Sequence, residues 1–193
     1  MTTAGTTADR IVEVGRTLIT MRGYNGFSYA DIAAAIGIRK ASIHHHFPTK
    51  PGLAAAVLGQ SRAAIDAQID LLTATEPDAM AQLRAYVGYW ERCILDDDAP
   101  FCVAGMLAAE LPSLPNELAR AVEGHFGALK RWLIDLLILG ERQGSIALSG
   151  DPADEADDFI AGVYGAMLSA RACRDRARFA AIAERHLARI SRG

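Results

Sequence analysis

GFSYADIAAAIGIRKASIHHHFPTK, residues 26–50, sets two short helical patterns on either side of one glycine. Ser28 with Asp31 three positions later matches a capping box, in which the hydroxyl accepts a free N-terminal amide and the carboxylate reaches back to the cap amide. The helix this opens runs to about Ile36. Gly37 then supplies a tight turn, and a second short helix from Ala41 to Phe47 is stopped by Pro48. Ile32, Ala33, Ile36, Ile38, Ile43 and Phe47 form one apolar set, so the two helices pack at a steep angle and residues Arg39 to His45 project outward. His46, just before Phe47, is expected to seal the edge of this small core. A helix presented in this way can enter a major groove and read bases with its first residues, while the helix before it crosses the phosphates.

The flanking sequence supports that frame. Ile11, Val14, Leu18 and Ile19 keep a helical period up to the turn Gly23-Tyr-Asn-Gly26, which predicts one helix ahead of the pair. Residues 1–60 hold six Lys or Arg (Arg10, Arg16, Arg22, Arg39, Lys40, Lys50) against Asp9, Glu13 and Asp31, whereas the whole chain carries a net charge of −3. A basic head on an acidic body is the footprint of an anion-binding module. Three adjacent histidines could suggest a metal, but successive helical residues point about 100° apart and cannot converge on one ion, so none is expected.

The motif from Gly23 to Leu53 resembles the DNA-binding segment of TetR-type regulators. That pattern runs from a Gly-x-x-x-x-Thr start through Ile-Ala, a Gly-Val-Ser turn and a Leu-Tyr-x-His/Tyr-Phe recognition helix to a following Lys. The resemblance implies phosphate contacts from Ser28 and Tyr29 at the second helix's N-terminus and from Lys50. It implies base reading by Arg39, Lys40, Ala41, Ser42, His44 and His45. Arg39 stands where Ser is usual, Ala41 where Gly is usual and His44 where Tyr is usual, which changes the operator that is read and leaves the apolar frame intact.

With 51% hydrophobic and 22% charged residues, a chain of 193 can bury a substantial core, and Ala-rich composition favours helix throughout. The expected fold is all-α: a helix-turn-helix domain over 1–52 and a helical effector-binding and dimerisation domain over 53–193. Helices are expected from about Leu53 to Leu72, from Ala79 to Leu95 (stopped by Asp96-Asp97-Asp98), from Phe101 to Glu110 and from Asn116 to Gly144. Two more follow, from Ala153 to Ala172 and from Asp175 to Ile190. Residues Met1 to Ala8 lack a basic start and an apolar run, and the longest apolar stretch, Trp132 to Leu139, is too short to span a bilayer, so a cytoplasmic protein is expected. Cys93, Cys102 and Cys173 show no paired spacing, which argues against a disulfide framework or zinc cluster.

In the body, Ala156, Phe159, Ile160, Val163, Tyr164, Met167 and Leu168 repeat at helical spacing, with Gly162 and Ala166 permitting close approach. Phe179, Ile182, Ala183, His186, Leu187 and Ile190 repeat likewise. The resemblance implies that these last two helices pair with a second copy. Packing within one subunit explains the same pattern. An effector pocket is expected around Tyr89, Trp90, Cys93, Cys102, Met106, Phe126 and Tyr164, any of which could instead fill core.

Cys102 falls in the first turn of a short helix, where free amides lower a thiol's pKa and the preceding acids raise it. Its context resembles TetR-type sensors of electrophiles or oxidants, and an inert packed thiol remains the alternative. No cofactor is expected. A thiol-dependent hydrolase using Cys93 or Cys102 with His125 and Glu110 has no recognised spacing to support it. A protein-interaction scaffold does not explain why the basic residues gather at the helix pair.

Overall fold

The computed structural model describes residues 5–95 and 101–192. Residues 1–4, Pro100 and the expected stop Asp96-Asp97-Asp98 lie outside the described residues. The described helices are α1 (Thr7–Arg22), α2 (Tyr29–Ile36), α3 (Lys40–His46), α4 (Lys50–Thr75), α5 (Ala79–Leu95), α6 (Val103–Ala109), α7 (Asn116–Gln143), α8 (Pro152–Cys173) and α9 (Ala177–Ile190). A 3-10 turn at Leu111–Ser113 joins α6 to α7. Apart from an isolated antiparallel bridge between Ile146 and Ser191, no β pairing is present among the described residues. None of these helices is long and apolar enough to cross a membrane.

Local chemistry sets the helix ends. The Asp9 carboxylate accepts from the Thr6 amide and hydroxyl, both at 2.8 Å, to open α1. Gly23, at φ 78°, closes it. Helix α4 starts at Lys50, earlier than the expected Leu53, because Pro51 sits in the first turn, where its missing N–H has no helical partner to lose. It also runs past Leu72 to Thr75, whose hydroxyl donates to the Leu71 carbonyl at 2.8 Å. The stop is therefore set by Pro77, which disfavours helix in the residue before it. Asp151 caps α8 through the Ala153 amide, and α8 ends on Arg174 in the left-handed region, so α9 begins at Ala177 and not at Asp175.

The chain forms two compact units, one on residues 5–64 and 101–125, the other on 65–95 and 126–192, with α4 and α7 contributing to both. In the first unit Ile11 and Ile19 of α1, Ile32 of α2, Ile43 of α3, Leu53 of α4 and Leu107 of α6 are all fully buried. Burial of each such side chain is worth about 1.5–3 kcal/mol. Helix α6 packs on α1. Gly15 lets α1 approach α4, since a Cβ there would lie 3.1 Å from a Val57 methyl.

In the second unit α8 packs along α9, burying Phe159, Val163 and Met167 on one helix and Phe179, Ala183 and Leu187 on the other. The Gln143 side chain accepts from the Ala79 amide at 2.9 Å and donates to the Pro77 carbonyl at 2.6 Å, fixing the start of α5 to the end of α7. Gly162 and Ala166, read from sequence as room for a helix of a second copy, are used inside the chain. Ala166 is fully buried, and a Cβ on Gly162 would meet the His186 ring at 2.5 Å. The reason is that α9 already occupies that face of α8.

Candidate nucleic-acid interface

Helices α2 and α3 are held from several sides. The Asp31 carboxylate accepts from the Ser28 amide and hydroxyl, both at 2.7 Å, so in this capping box the hydroxyl points its proton at Asp31. These bonds hold the Asp31 carboxyl below its usual pKa. Gly37 adopts φ 71°, and the Arg10 guanidinium donates to the last α2 carbonyl, that of Ile36, at 3.1 Å. Ile32 and Ile43 supply the apolar contact beneath, with Ala33, Ile36, Ile38 and Phe47 half-buried around them.

On this frame Ser28, Arg39, Lys40, Ala41, Ser42, His44 and His45 are all exposed. Arg39 and Lys40 make no ion pair with any described residue. The outward face of α3 therefore combines two uncompensated cations, a hydroxyl and two imidazoles, with Ala41 leaving room for close approach. Such a set can neutralise phosphate and donate to base edges. His44 stacks edge-on against Tyr29, ring centroids 4.8 Å apart.

Two of the expected contact residues face inward. Tyr29 is buried, and its hydroxyl donates to the Phe47 carbonyl at 2.8 Å; burial pushes its pKa up. The Lys50 ammonium donates to the Phe27 carbonyl and lies 4.7 Å above the Tyr24 ring and 4.4 Å above the Phe27 ring. Burial depresses the Lys50 pKa, while the charges of Glu110 and Asp31 pull it back up. His46 does not seal the core edge. It is exposed against His45, ring centroids 5.5 Å apart, while the next residue, Phe47, is half-buried.

The candidate effector residues divide between the units. In the second, the Tyr89 and Trp90 rings meet at 5.1 Å, the Phe126 and Tyr164 rings meet at 5.1 Å, and Cys93 is half-buried on α5. Tyr86, also on α5, has its ring centroid 5.3 Å from that of Trp132 and 6.5 Å from those of both Trp90 and Phe159. A groove of about 160 Å³ between α4 and α5 is lined by Ile65, Ile69, Leu72, Tyr86, Tyr89 and Arg92. In the first unit, Cys102 is the buried N-cap of α6 and Met106 lies half-buried on the same helix.

Sequence reasoning missed the part played by Glu110. Its carboxylate accepts from the Asn25 amide at 3.0 Å and from the Asn25 side-chain amide at 3.2 Å. The two residues stand 85 positions apart, and the sequence had offered Glu110 only as a partner in an unsupported thiol-hydrolase reading.

Comparison with known proteins agrees with this geometry. Residues 11–57 match the bacterial regulatory proteins of the tetR family, and residues 79–186 match the tetracyclin repressor-like C-terminal domain. The chain is 29% identical over 170 residues to the HTH-type transcriptional repressor DhaR of Mycobacterium sp. (strain GP1), covering 86% of this chain and 83% of that protein. A TetR-family transcriptional regulator from Agrobacterium tumefaciens superposes with a TM-score of 0.93 at 48% identity, over 96% of this chain and 97% of that one. A TetR regulator from Legionella pneumophila superposes with a TM-score of 0.86 at 28% identity, over 99% and 100%. An exposed cationic recognition helix on a buttressed helix pair, followed by a helical body that matches the family's own C-terminal domain, places this chain in the TetR family of DNA-binding transcriptional regulators.

Proposed function

We propose that the chain is a cytoplasmic repressor that acts by binding alone: a homodimer sets two heads on an inverted-repeat operator, and a small-molecule effector releases it. The observation that carries this reading is the outward face of α3, where Arg39 and Lys40 stand without acidic partners beside Ser42, His44 and His45. Ser28, Arg39 and Lys40 take the phosphates, and Ala41, Ser42, His44 and His45 sort the bases. Tyr29 and Lys50 serve by holding α2 and the start of α4 in place, since both polar tips already sit on backbone carbonyls. A catalytic role for Glu110 is disfavoured by its engagement with Asn25.

Dimerisation uses the outer row of α8. Ala161, Gly165 and Leu168 are exposed at helical spacing, Leu168 by 60%, and Gly165 has no neighbouring atom within 4 Å of where a Cβ would stand. A two-fold dimer then presents two heads to successive major grooves, about 34 Å apart. The noncovalent effector reading rests on the Tyr89 groove and its apolar lining, with Trp90, Cys93, Phe126 and Tyr164 as further candidates. The thiol-switch reading rests on Cys102 and Met106, and burial of Cys102 weighs against it while Cys173 is exposed.

Footprinting on the DNA that flanks the chain's own gene is the test. The expected result is two inverted half-sites about one helical turn apart, with Lys40→Ala lowering the salt slope by about one unit and Ser42→Ala changing the preferred bases. Protection without half-site symmetry, or unchanged binding by both variants, would refute it. Mild alkylation followed by intact-mass analysis separates the effector readings. Operator release that tracks an adduct on Cys102, and is lost in Cys102→Ser, selects the thiol switch; release without such an adduct selects the groove.

A further inference from the structure

The turn between α1 and α2 is fastened by a carboxylate that comes from outside the helix-turn-helix. Glu110, the C-cap of α6, accepts from the Asn25 amide at 3.0 Å and from its side chain at 3.2 Å. The same Asn25 side chain donates to the Ser113 hydroxyl at 2.9 Å, and that hydroxyl donates back to the Glu110 carbonyl at 2.9 Å, closing a ring of bonds. Gly23 makes room for it: a Cβ there would overlap the Glu110 carboxylate, and its φ of 78° suits glycine. Lys50 grips the turn from α4 through Tyr24 and Phe27.

We propose that Glu110 is a positioning residue for DNA binding: its bonds to Asn25 lock the 23–26 turn and so fix the angle at which α2 and α3 are presented. Glu110 touches no DNA in this role. It acts on the fraction of heads that are competent to bind, and apparent affinity falls in proportion to that fraction. Helix α6 runs from Cys102 to Glu110, cap to cap, so any effector that shifts α6 draws on the same bond. This last consequence rests on the effector reading above; the lock itself rests only on the head being a DNA reader.

The sign of the effect separates a lock from plain electrostatics. Removing an acid from a DNA-binding unit strengthens attraction to phosphate, and on that ground Glu110→Ala and Glu110→Gln should both bind DNA more tightly. A lock predicts the reverse for Ala and little change for Gln, whose carbonyl still accepts from the Asn25 amide. The probe is a duplex recovered by the wild-type protein from a random 30-base-pair library, titrated well below the melting temperature at three salt concentrations.

Glu110→Ala should bind about ten-fold more weakly, the scale of one lost hydrogen bond to a charged group. The salt slope should be unchanged, because no phosphate contact is removed, and Glu110→Gln should stay within about two-fold of wild type. Amide exchange should quicken in peptides covering residues 20–38 and stay unchanged in α8 and α9. Equal or tighter binding by Glu110→Ala, equal loss in both variants, or exchange that quickens throughout the chain would overturn the proposal. Should Glu110→Ala fail to fold, Asn25→Ala, which removes only the side-chain donor, serves instead: weaker binding supports the lock and unchanged binding overturns it. A wild-type protein that recovers no duplex would defeat the DNA-binding reading itself, a different outcome from any of these.

Discussion

The turns of the first unit and the helix faces of the second are fixed in different ways. In the first, directional hydrogen bonds fix the turns around α2 and α3: Arg10 on Ile36, Tyr29 on Phe47, Lys50 on Phe27 and Glu110 on Asn25. In the second, aromatic rings and small residues fit one helix to another, as with Tyr86 among Trp90, Trp132 and Phe159, and Gly162 beneath His186. A hydrogen bond weakens steeply away from its preferred angle, so the first arrangement specifies one geometry. Apolar burial is non-directional and allows rings to repack at modest cost. A DNA-binding head is served by one fixed geometry.

That contrast can be broken most forcefully in the second unit. Phe179 is among the largest fully buried side chains, and Phe179→Ala should cost about 3–5 kcal/mol of stability, read from the urea midpoint. A loss under 1 kcal/mol would mean that the α8–α9 seam is not the packed core of its unit. A smaller effect of the same kind comes from Gly162→Ala, which forces the His186 ring aside and should cost about 1–3 kcal/mol as overpacking. Gly59→Ala is its control: Gly59 lies inside α4 with open space around it, and Ala there should stabilise by about 0.5–1 kcal/mol. Equal changes at the two glycines would erase the distinction.

The polar side of the comparison is tested by Tyr29→Phe. The change keeps the buried ring, leaves the Phe47 carbonyl without its donor, and should cost about 1 kcal/mol together with a loss of operator affinity. A shift in stability with no change in affinity would mean that this bond holds the fold without aiming α3.

The smallest expected effect is on acid stability. Hydrogen bonds from Ser28 hold the Asp31 pKa below its ordinary value, so Asp31 contributes stability above about pH 4 that is lost as the pH falls through the depressed value. Asp31→Asn should flatten the acid limb of the stability curve below about pH 4 and leave its slope at neutral pH unchanged. An unaltered acid limb would show that the α2 capping box does not depend on the charge.

What was legible from the chain alone was local. The capping pair Ser28 and Asp31, the turn at Gly37 and the stop at Pro48 act over three or four residues, and a linear reading places α2 and α3 within a residue of where they lie. The breaker at Pro77 and the acidic run after Leu95 placed a helix from about Ala79 to Leu95, the span of α5, whose buried Leu83, Tyr86, Val87, Trp90 and Ile94 repeat at helical spacing. The exposure of Ser42 and His44 was legible as well, since helical geometry turns each about 100° away from the buried Ile43.

Tertiary structure alone decided which polar tips are already engaged. Tyr29 and Lys50 carry donors that could reach a phosphate, and only the nearness of the Phe47 and Phe27 carbonyls turns them inward. Gly162 is equally suited to a neighbour from its own chain or from another, and the placement of α9 chose His186. The bond from Glu110 to Asn25 closes a loop of 85 residues with no local signal. Spacing along a chain constrains neighbours within a few turns of helix, whereas a contact between distant residues exists only after the core has brought their helices together.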